Sequence, residues 1–290
     1  MNPKDPPDGS TFFSGLDNER ILLIDTSGAR AVAILVRAND GLILAPDAIA
    51  DIPSEPLDMA ANIGGTLFPL IDALLKDAKT TPTDLTGILV NRGPGSWTGL
   101  RVGVAAAKTL ALVLKVPVFA FSNLEALALE GMALMKDSGN PLDSSSPSVR
   151  ESSVNNKRIA VLLDGRSAGL FGAVYRFGQG TKTVLERVAD EMSASADEWK
   201  DWLTLTQSDD PDASLSIVTD SPEKAGSLIA NESSLSRWRI LSAARASLPA
   251  TVVCALSSWK NQPDLRLAGS AVHSLAPAYL RGAHFKKIRP

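Results

Sequence analysis

One stretch constrains the fold of this chain more than any other: Asn91 to Val104, NRGPGSWTGLRVGV. The apolar run before it, Leu85 to Asn91, reads as a buried strand. The run after it, Thr98 to about Lys115, reads as a helix, so a strand turns into a helix through a glycine-rich corner. Gly93, Gly95 and Gly99 let the backbone take positive φ and approach its neighbours closely. A helix start presents free N–H groups and a partial positive charge. Gly93, Gly95, Ser96 and Thr98 therefore outline a corner with the means to cradle a phosphate. The Lys-Ser/Thr pair of a P-loop is missing, and so is the GxGxxG spacing of a dinucleotide site. On the residues alone, a tight corner with Ser96 or Thr98 as N-cap is the plainer reading.

The helix that follows carries a row of small residues, Gly99, Gly103, Ala107 and Ala111, four apart along one slowly drifting stripe. Such a stripe lets another helix approach closely. An interior glycine costs roughly 1 kcal/mol against alanine, and close packing is what offsets it. An internal neighbour is the first expectation, and the spacing of Leu67, Leu70, Ile71, Leu74 and Leu75 supplies one. These residues make one face of a helix over Thr66–Ala78, with Pro69 tolerable only in its first turn.

Upstream, Ile21–Ile24 and Ala31–Arg37 read as two strands of a hairpin, with a third near Leu42–Leu44. Downstream, Val116–Phe121 is a strand and Ser122 caps a helix to about Met135. Residues 1–18 read as a loose tail. Residues 137–157, rich in Ser, Asn and Pro, read as a linker or mobile loop. The second half opens as the first does, RIAVLLDGRSAGLFGAVYR against RILLIDTSGARAVAILVR, with twelve residues from Asp25 to Arg37 and twelve from Asp164 to Arg176. The repeat points to a duplicated strand–turn–strand unit. Lobes at 19–136 and 158–290 follow. Asp25 and Asp164 each end a buried strand. Such a carboxylate either holds a metal-bound water beside a nucleotide phosphate or binds turn amides, and the second is preferred.

Composition narrows the function classes. The chain of 290 residues has a formal charge of −3, which argues against nucleic-acid binding through overall charge. No apolar run approaches the roughly 20 residues of a membrane span. The single cysteine, Cys254, has no internal partner and suggests a reducing, cytoplasmic setting. His273 and His284, eleven residues apart, form no His-x-x-x-His pair. No nucleophile elbow is present, which counts against a peptidase.

Asn91–Leu112 and Val116–Ala128, together with LLIDTSGARAVAIL and Pro277–Arg281 (PAYLR), resemble the TsaB family, also called YeaZ. The resemblance implies a duplicated two-lobe α/β fold of the actin-like (ASKHA) class. It implies a non-catalytic partner of a TsaD-type threonylcarbamoyltransferase, which modifies adenosine next to the anticodon of tRNAs reading ANN codons. No cofactor is then expected on this chain alone, since ATP and metal serve the partner proteins. A TsaE-type ATPase would join the assembly, tRNA would be met only indirectly, and a homodimer through the same face is the alternative pairing. The resemblance also redirects the small-residue stripe outward: Leu67, Leu70, Ile71, Leu74, Gly99, Gly103, Ala107 and Ala111 become the expected partner interface. Departures are Ala60–Ile63, where the family often has a His, and Asp164-Gly165-Arg166, where it usually reads close to Asp-Ala-Arg. The competing expectation is an actin-like ATP-dependent phosphotransferase or ATPase using Asp25 and the Gly93–Gly99 loop.

Overall fold

The computed structural model describes residues 19–28, 31–37, 41–43, 59–137, 157–165, 169–177, 185–188, 190–208, 214–230, 235, 237–243, 251–252, 254–256, 259 and 263–278. The expected tail at 1–18, most of the 137–157 segment, Arg166, His284 and the last three residues of PAYLR lie outside them. The chain divides into two compact units, residues 1–123 with 251–278, and residues 124–250 with 279–290. The first boundary therefore falls before the 137–157 segment, and a stretch near the C-terminus returns to the first unit instead of completing the second.

In the first unit β1 (Arg20–Asp25), β2 (Val32–Arg37), β3 (Gly41–Ile43), β4 (Gly87–Asn91) and β5 (Val118–Phe121) form a sheet of order β3-β2-β1-β4-β5. β1 pairs antiparallel with β2, Asp25 opposite Val32, and parallel with β4, while β4 pairs parallel with β5. Ile21–Ile24 and Ile88–Val90 are apolar without alternation because they are fully buried. The long helices among the described residues of this unit are α1 (Met59–Asp77) and α2 (Trp97–Leu114). Leu67, Leu70, Ile71 and Leu74 of α1 share one core with Leu22, Ile24 and Leu35 of the sheet and with Val104, Ala107 and Ala111 of α2. The α1 helix begins earlier than its apolar spacing indicates, so Pro69 lies well inside it and not in its first turn. Proline removes the hydrogen bond to the residue four back, here Gly65. Met59 and Ile63 carry the spacing of four back from Leu67, but Gly64 and Gly65, poor helix formers, stand between and hid the start.

The returning C-terminal stretch extends this unit. Val118 and Leu267 exchange both backbone hydrogen bonds, at 2.9 and 2.8 Å. Lys108 of α2 donates to the carbonyls of His273 and Leu275 at 2.9 and 3.1 Å. The buried Trp259 lies against Gly87, leaving no room there for a side chain, and the Arg266 guanidinium stacks 4.0 Å from its ring centre.

The second unit repeats the plan. It contains α3 (Asn123–Asp137, all but its first residue), β6 (Lys157–Asp164), β7 (Leu170–Phe177), β8 (Leu185–Arg187), β9 (Met192–Ala194), α4 (Ala196–Ser208), β10 (Ser214–Thr219), α5 (Pro222–Ile229) and β11 (Arg239–Ser242). Its sheet order, β11-β10-β6-β7-β8, is that of the first read in reverse, with β9 added beside β7. β6–β7 is antiparallel, and β6–β10 and β10–β11 are parallel, matching β1–β2, β1–β4 and β4–β5. The duplicated hairpin read from the sequence is thus a duplicated sheet, and the fold is the actin-like α/β class. The second hairpin turn is one residue shorter, since Asp164 pairs with Leu170.

Candidate functional site

The corner between β1 and α2 is built from turn residues that close on one another. The Ser27 N–H donates to Asp25 Oδ1 at 2.8 Å, which is the turn-bonded carboxylate of the plainer reading. Ser96 N–H donates to the Ser27 carbonyl at 2.7 Å. The Ser96 hydroxyl accepts from Gly99 N–H at 3.3 Å and caps α2. Buried Asn91 accepts from Gly93 N–H through Oδ1 at 2.9 Å, and its Nδ2 donates to Ser27 Oγ at 3.2 Å. The 93–95 backbone is pinned from its other side, where Asn123 donates through its N–H to Gly93 O and through Nδ2 to Pro94 O. Ala278 N–H, from the terminal motif, reaches Arg92 O at 2.7 Å.

The glycines are there for contact with the 26–27 turn. A Cβ on Gly95 would stand 2.5 Å from Ser27 O, and one on Gly99 2.1 Å from Thr26 O. A Cβ on Gly103 would stand 2.1 Å from Thr26 Oγ1. Thr26 is wholly buried and donates its hydroxyl to Gly99 O at 2.7 Å. Asp25, Gly93, Gly95 and Ser96 are brought together as the sequence predicts, with Thr98 exposed at the helix start. Four amides of the corner are already committed, which weighs against a phosphate there. The N–H groups of Ser27, Gly93, Ser96 and Gly99 already have protein acceptors, and Thr26 fills the space above the helix.

This geometry corrects the expected interface. Gly99 and Gly103 face the Thr26 turn, Ala107 is 0% exposed, and Ala111 is buried in the core. Leu67, Leu70, Ile71 and Leu74 are buried in the same core. None of these eight presents a side chain to a partner. The glycine row is inward because the β1–β2 turn, and not a helix, sits in its groove, an occupant that helix periodicity does not announce.

What α1 and α2 do present lies on their other faces. Val113 is 71% exposed, Trp97 52%, Phe68 47% and Leu112 38%. Ala105 and Thr109 are also exposed, between Arg101 and Leu112 on α2. This outer strip carries one charge, Arg101, and the helix as a whole is apolar enough to meet the composition of a membrane span. Of that helix 39% is buried in the core, and the remainder leaves apolar residues on the surface. The signal in the sequence was α2's scarcity of charge on both faces, which a single inward row does not need.

At the same end of the second unit, Asp164 forms an ion pair with Lys224 at 2.7 Å, and its N–H donates to Asp220 Oδ1 at 2.9 Å. Gly165 N–H closes the turn on Gly169 O. Trp199, buried on α4, donates to Leu170 O at 3.0 Å. Among the described residues there is no cluster of three or more His, Cys, Asp or Glu placed to hold a metal.

Fold and corner together define an actin-like two-unit protein whose first strand-end loop is closed by its own turn. The sequence profile of the TsaD family, tRNA N6-adenosine threonylcarbamoyltransferase, matches residues 56–201, half of the chain. The TsaB biosynthesis protein for tRNA threonylcarbamoyladenosine of Bacillus subtilis is 31% identical over 136 residues, 47% of this chain and 49% of that protein. The Escherichia coli protein of the same name is 28% identical over 190 residues, 62% of this chain and 69% of that protein. The match thus spans about half the length of the first relative and about two thirds of the second. The solved structure of YeaZ from Pseudomonas aeruginosa superposes with a TM-score of 0.61 over 90% of this chain and all of that one, at 18% identity. The chain belongs to the TsaD family, and the curated relatives and the solved structure it resembles carry the TsaB and YeaZ names.

Proposed function

We propose that the chain is a non-catalytic partner of a TsaD-type threonylcarbamoyltransferase, acting in threonylcarbamoyladenosine modification of tRNAs that read ANN codons. The relatives named for that pathway support the reading. One observation carries the docking part of it: the outer strip of α2, from Ala105 to Val113, leaves Leu112 and Val113 exposed, and α1 leaves Phe68 exposed, while the inner faces of the helix pair are already used. Contiguous exposed apolar surface marks sites of protein contact, and small residues such as Ala105 and Thr109 permit close helix approach. A paralogue with an equivalent helix pair would meet this surface in a pseudo-symmetric contact, and a second copy of the chain would compete for it. A TsaE-type ATPase and tRNA would then engage the assembly chiefly through the catalytic paralogue.

The test is titration calorimetry of the full chain against the TsaD-type paralogue of the same organism, with size-exclusion chromatography of the mixture. The reading expects a one-to-one complex that Val113→Glu weakens without altering the chain's own melting temperature. Two folded proteins that elute separately and give no heat would end it.

A further inference from the structure

A cavity of about 480 Å³, within the range of small-molecule sites, is lined in part by Lys224, which pairs with Asp164 at the carboxyl end of β6. Open α/β sheets take ligands in the crevice beyond the carboxyl ends of their parallel strands. Here β6 and β10 are such a pair, ending at Asp164 and Thr219. The cavity is lined by Gly169 and Leu170 at the start of β7, Lys200 of α4, and Glu223, Lys224 and Leu228 of α5. Its apolar surface comes from Leu170 and Leu228, both buried, and its charged groups are the ammoniums of Lys200 and Lys224 and the carboxylate of Glu223. Lys224 is paired with Asp164 at 2.7 Å. The acidic partner of Lys200 is Asp197, at 3.5 Å on an exposed side chain, and pairs of that kind contribute little.

Each helix start beside the cavity has a different status. At α4, Ser195 and Glu198 cap one another, Ser195 donating its N–H to Glu198 Oε2 at 2.8 Å. At α5, Pro222 occupies the first turn and no side chain caps the helix. The positive end of α5 therefore adds to the ammonium groups of Lys200 and Lys224. Gly169 has φ +82°, and a Cβ there would stand 2.4 Å from Ala194 O, so the wall of the cavity at this turn admits only glycine.

We propose that this cavity binds a small organic anion, its phosphate or carboxylate head between Lys200 and Lys224 and its apolar body on Leu170 and Leu228. The head competes with Asp164 for Lys224 and draws Lys200 from its exposed pair. The inference is independent of the partner role proposed above.

The experiment is a ¹H–¹⁵N NMR titration of the full chain with three probes: adenosine 5′-monophosphate, hexanoate and inorganic phosphate. Saturable shifts confined to the amides of Gly169, Lys200, Lys224 and Leu228 are expected from one of the first two, which identifies the head, with inorganic phosphate at least about tenfold weaker. Lys200→Met should raise the Kd by about tenfold, with Lys115→Met as an unchanged control. Should Lys224→Met misfold, Lys200→Met alone carries the test, because its partner Asp197 is exposed. No saturable shift from any probe at millimolar concentration would overturn the proposal. So would shifts spread over exposed lysines elsewhere, shifts that survive in Lys200→Met, or inorganic phosphate binding as tightly as the organic anions.

Discussion

Asp25 and Asp164 stand at the same place in two copies of one strand order, and the space beyond them is used in opposite ways. In the first unit the loop from Gly93 to Gly99 folds back on the 26–27 turn, Thr26 drops into the groove of α2, and the corner is filled. In the second unit the corresponding helix, α5, stands off, Lys224 reaches across to Asp164, and a cavity stays open. One plan yields a plugged end or an open one according to whether the strand-to-helix connection carries glycines that admit a neighbouring turn. The comparison also separates two uses of helix surface: α2 spends its small residues on its own turn and keeps Leu112 and Val113 outside.

The largest expected effect is at the plug. Gly99→Ala places its methyl against the backbone carbonyl of Thr26, and Gly103→Ala places its methyl against the Thr26 hydroxyl. Both should destabilise the chain by roughly 1–3 kcal/mol, the usual cost of overpacking. They should differ on rescue. Thr26→Ala removes the hydroxyl and should recover part of the Gly103→Ala loss, but none of the Gly99→Ala loss. Denaturant midpoints of the wild type, the three single variants and the two double mutants read this directly. Equal rescue at both positions would mean that the turn moves aside as a body and is no plug.

Next comes the outer face. Val113→Glu and Phe68→Glu should each weaken the paralogue complex by roughly 2 kcal/mol or more, if these side chains are contact anchors. Calorimetry measures the loss, and an unchanged thermal midpoint shows that the fold is intact. Asp25→Ala tests the plug from another side. It removes the acceptor of Ser27 N–H and should cost about 1 kcal/mol. Wild type and variant should behave alike on titration with Mg·ATP, since the neighbouring amides are committed. Heat in the wild type that vanishes in Asp25→Ala would restore the phosphotransferase reading. The smallest effect is in the open unit: Lys224→Met breaks a half-exposed ion pair and should change stability by less than about 1 kcal/mol.

Much of this was legible in the sequence. The apolar runs of β1, β4 and β6 and the Asp25–Arg37 and Asp164–Arg176 spacings gave the strands and the duplication. The Gly93–Gly99 corner was recognisable because only close approach calls for that many glycines before a helix. The direction of the stripe was not. A row of Gly and Ala states that something comes near, but not what, and Thr26 lies more than seventy residues away in the chain. The resemblance to a family with a helical interface favoured the outward reading, while the hydroxyl of Thr26 decides for the inward one. The cavity of the second unit was equally hidden, since Lys200 and Lys224 come together only where α4 and α5 line one cavity.

The central claim is that the two faces of α2 have separate duties, the glycine face holding the chain's own turn and the Leu112–Val113 face meeting a catalytic paralogue. The most direct test is the affinity of that paralogue for three forms of the chain: wild type, Val113→Glu, and the Gly103→Ala/Thr26→Ala double mutant. The account predicts wild-type affinity in the double mutant once it is folded, and at least about tenfold weaker binding in Val113→Glu. Binding lost in the folded double mutant and untouched in Val113→Glu would contradict it.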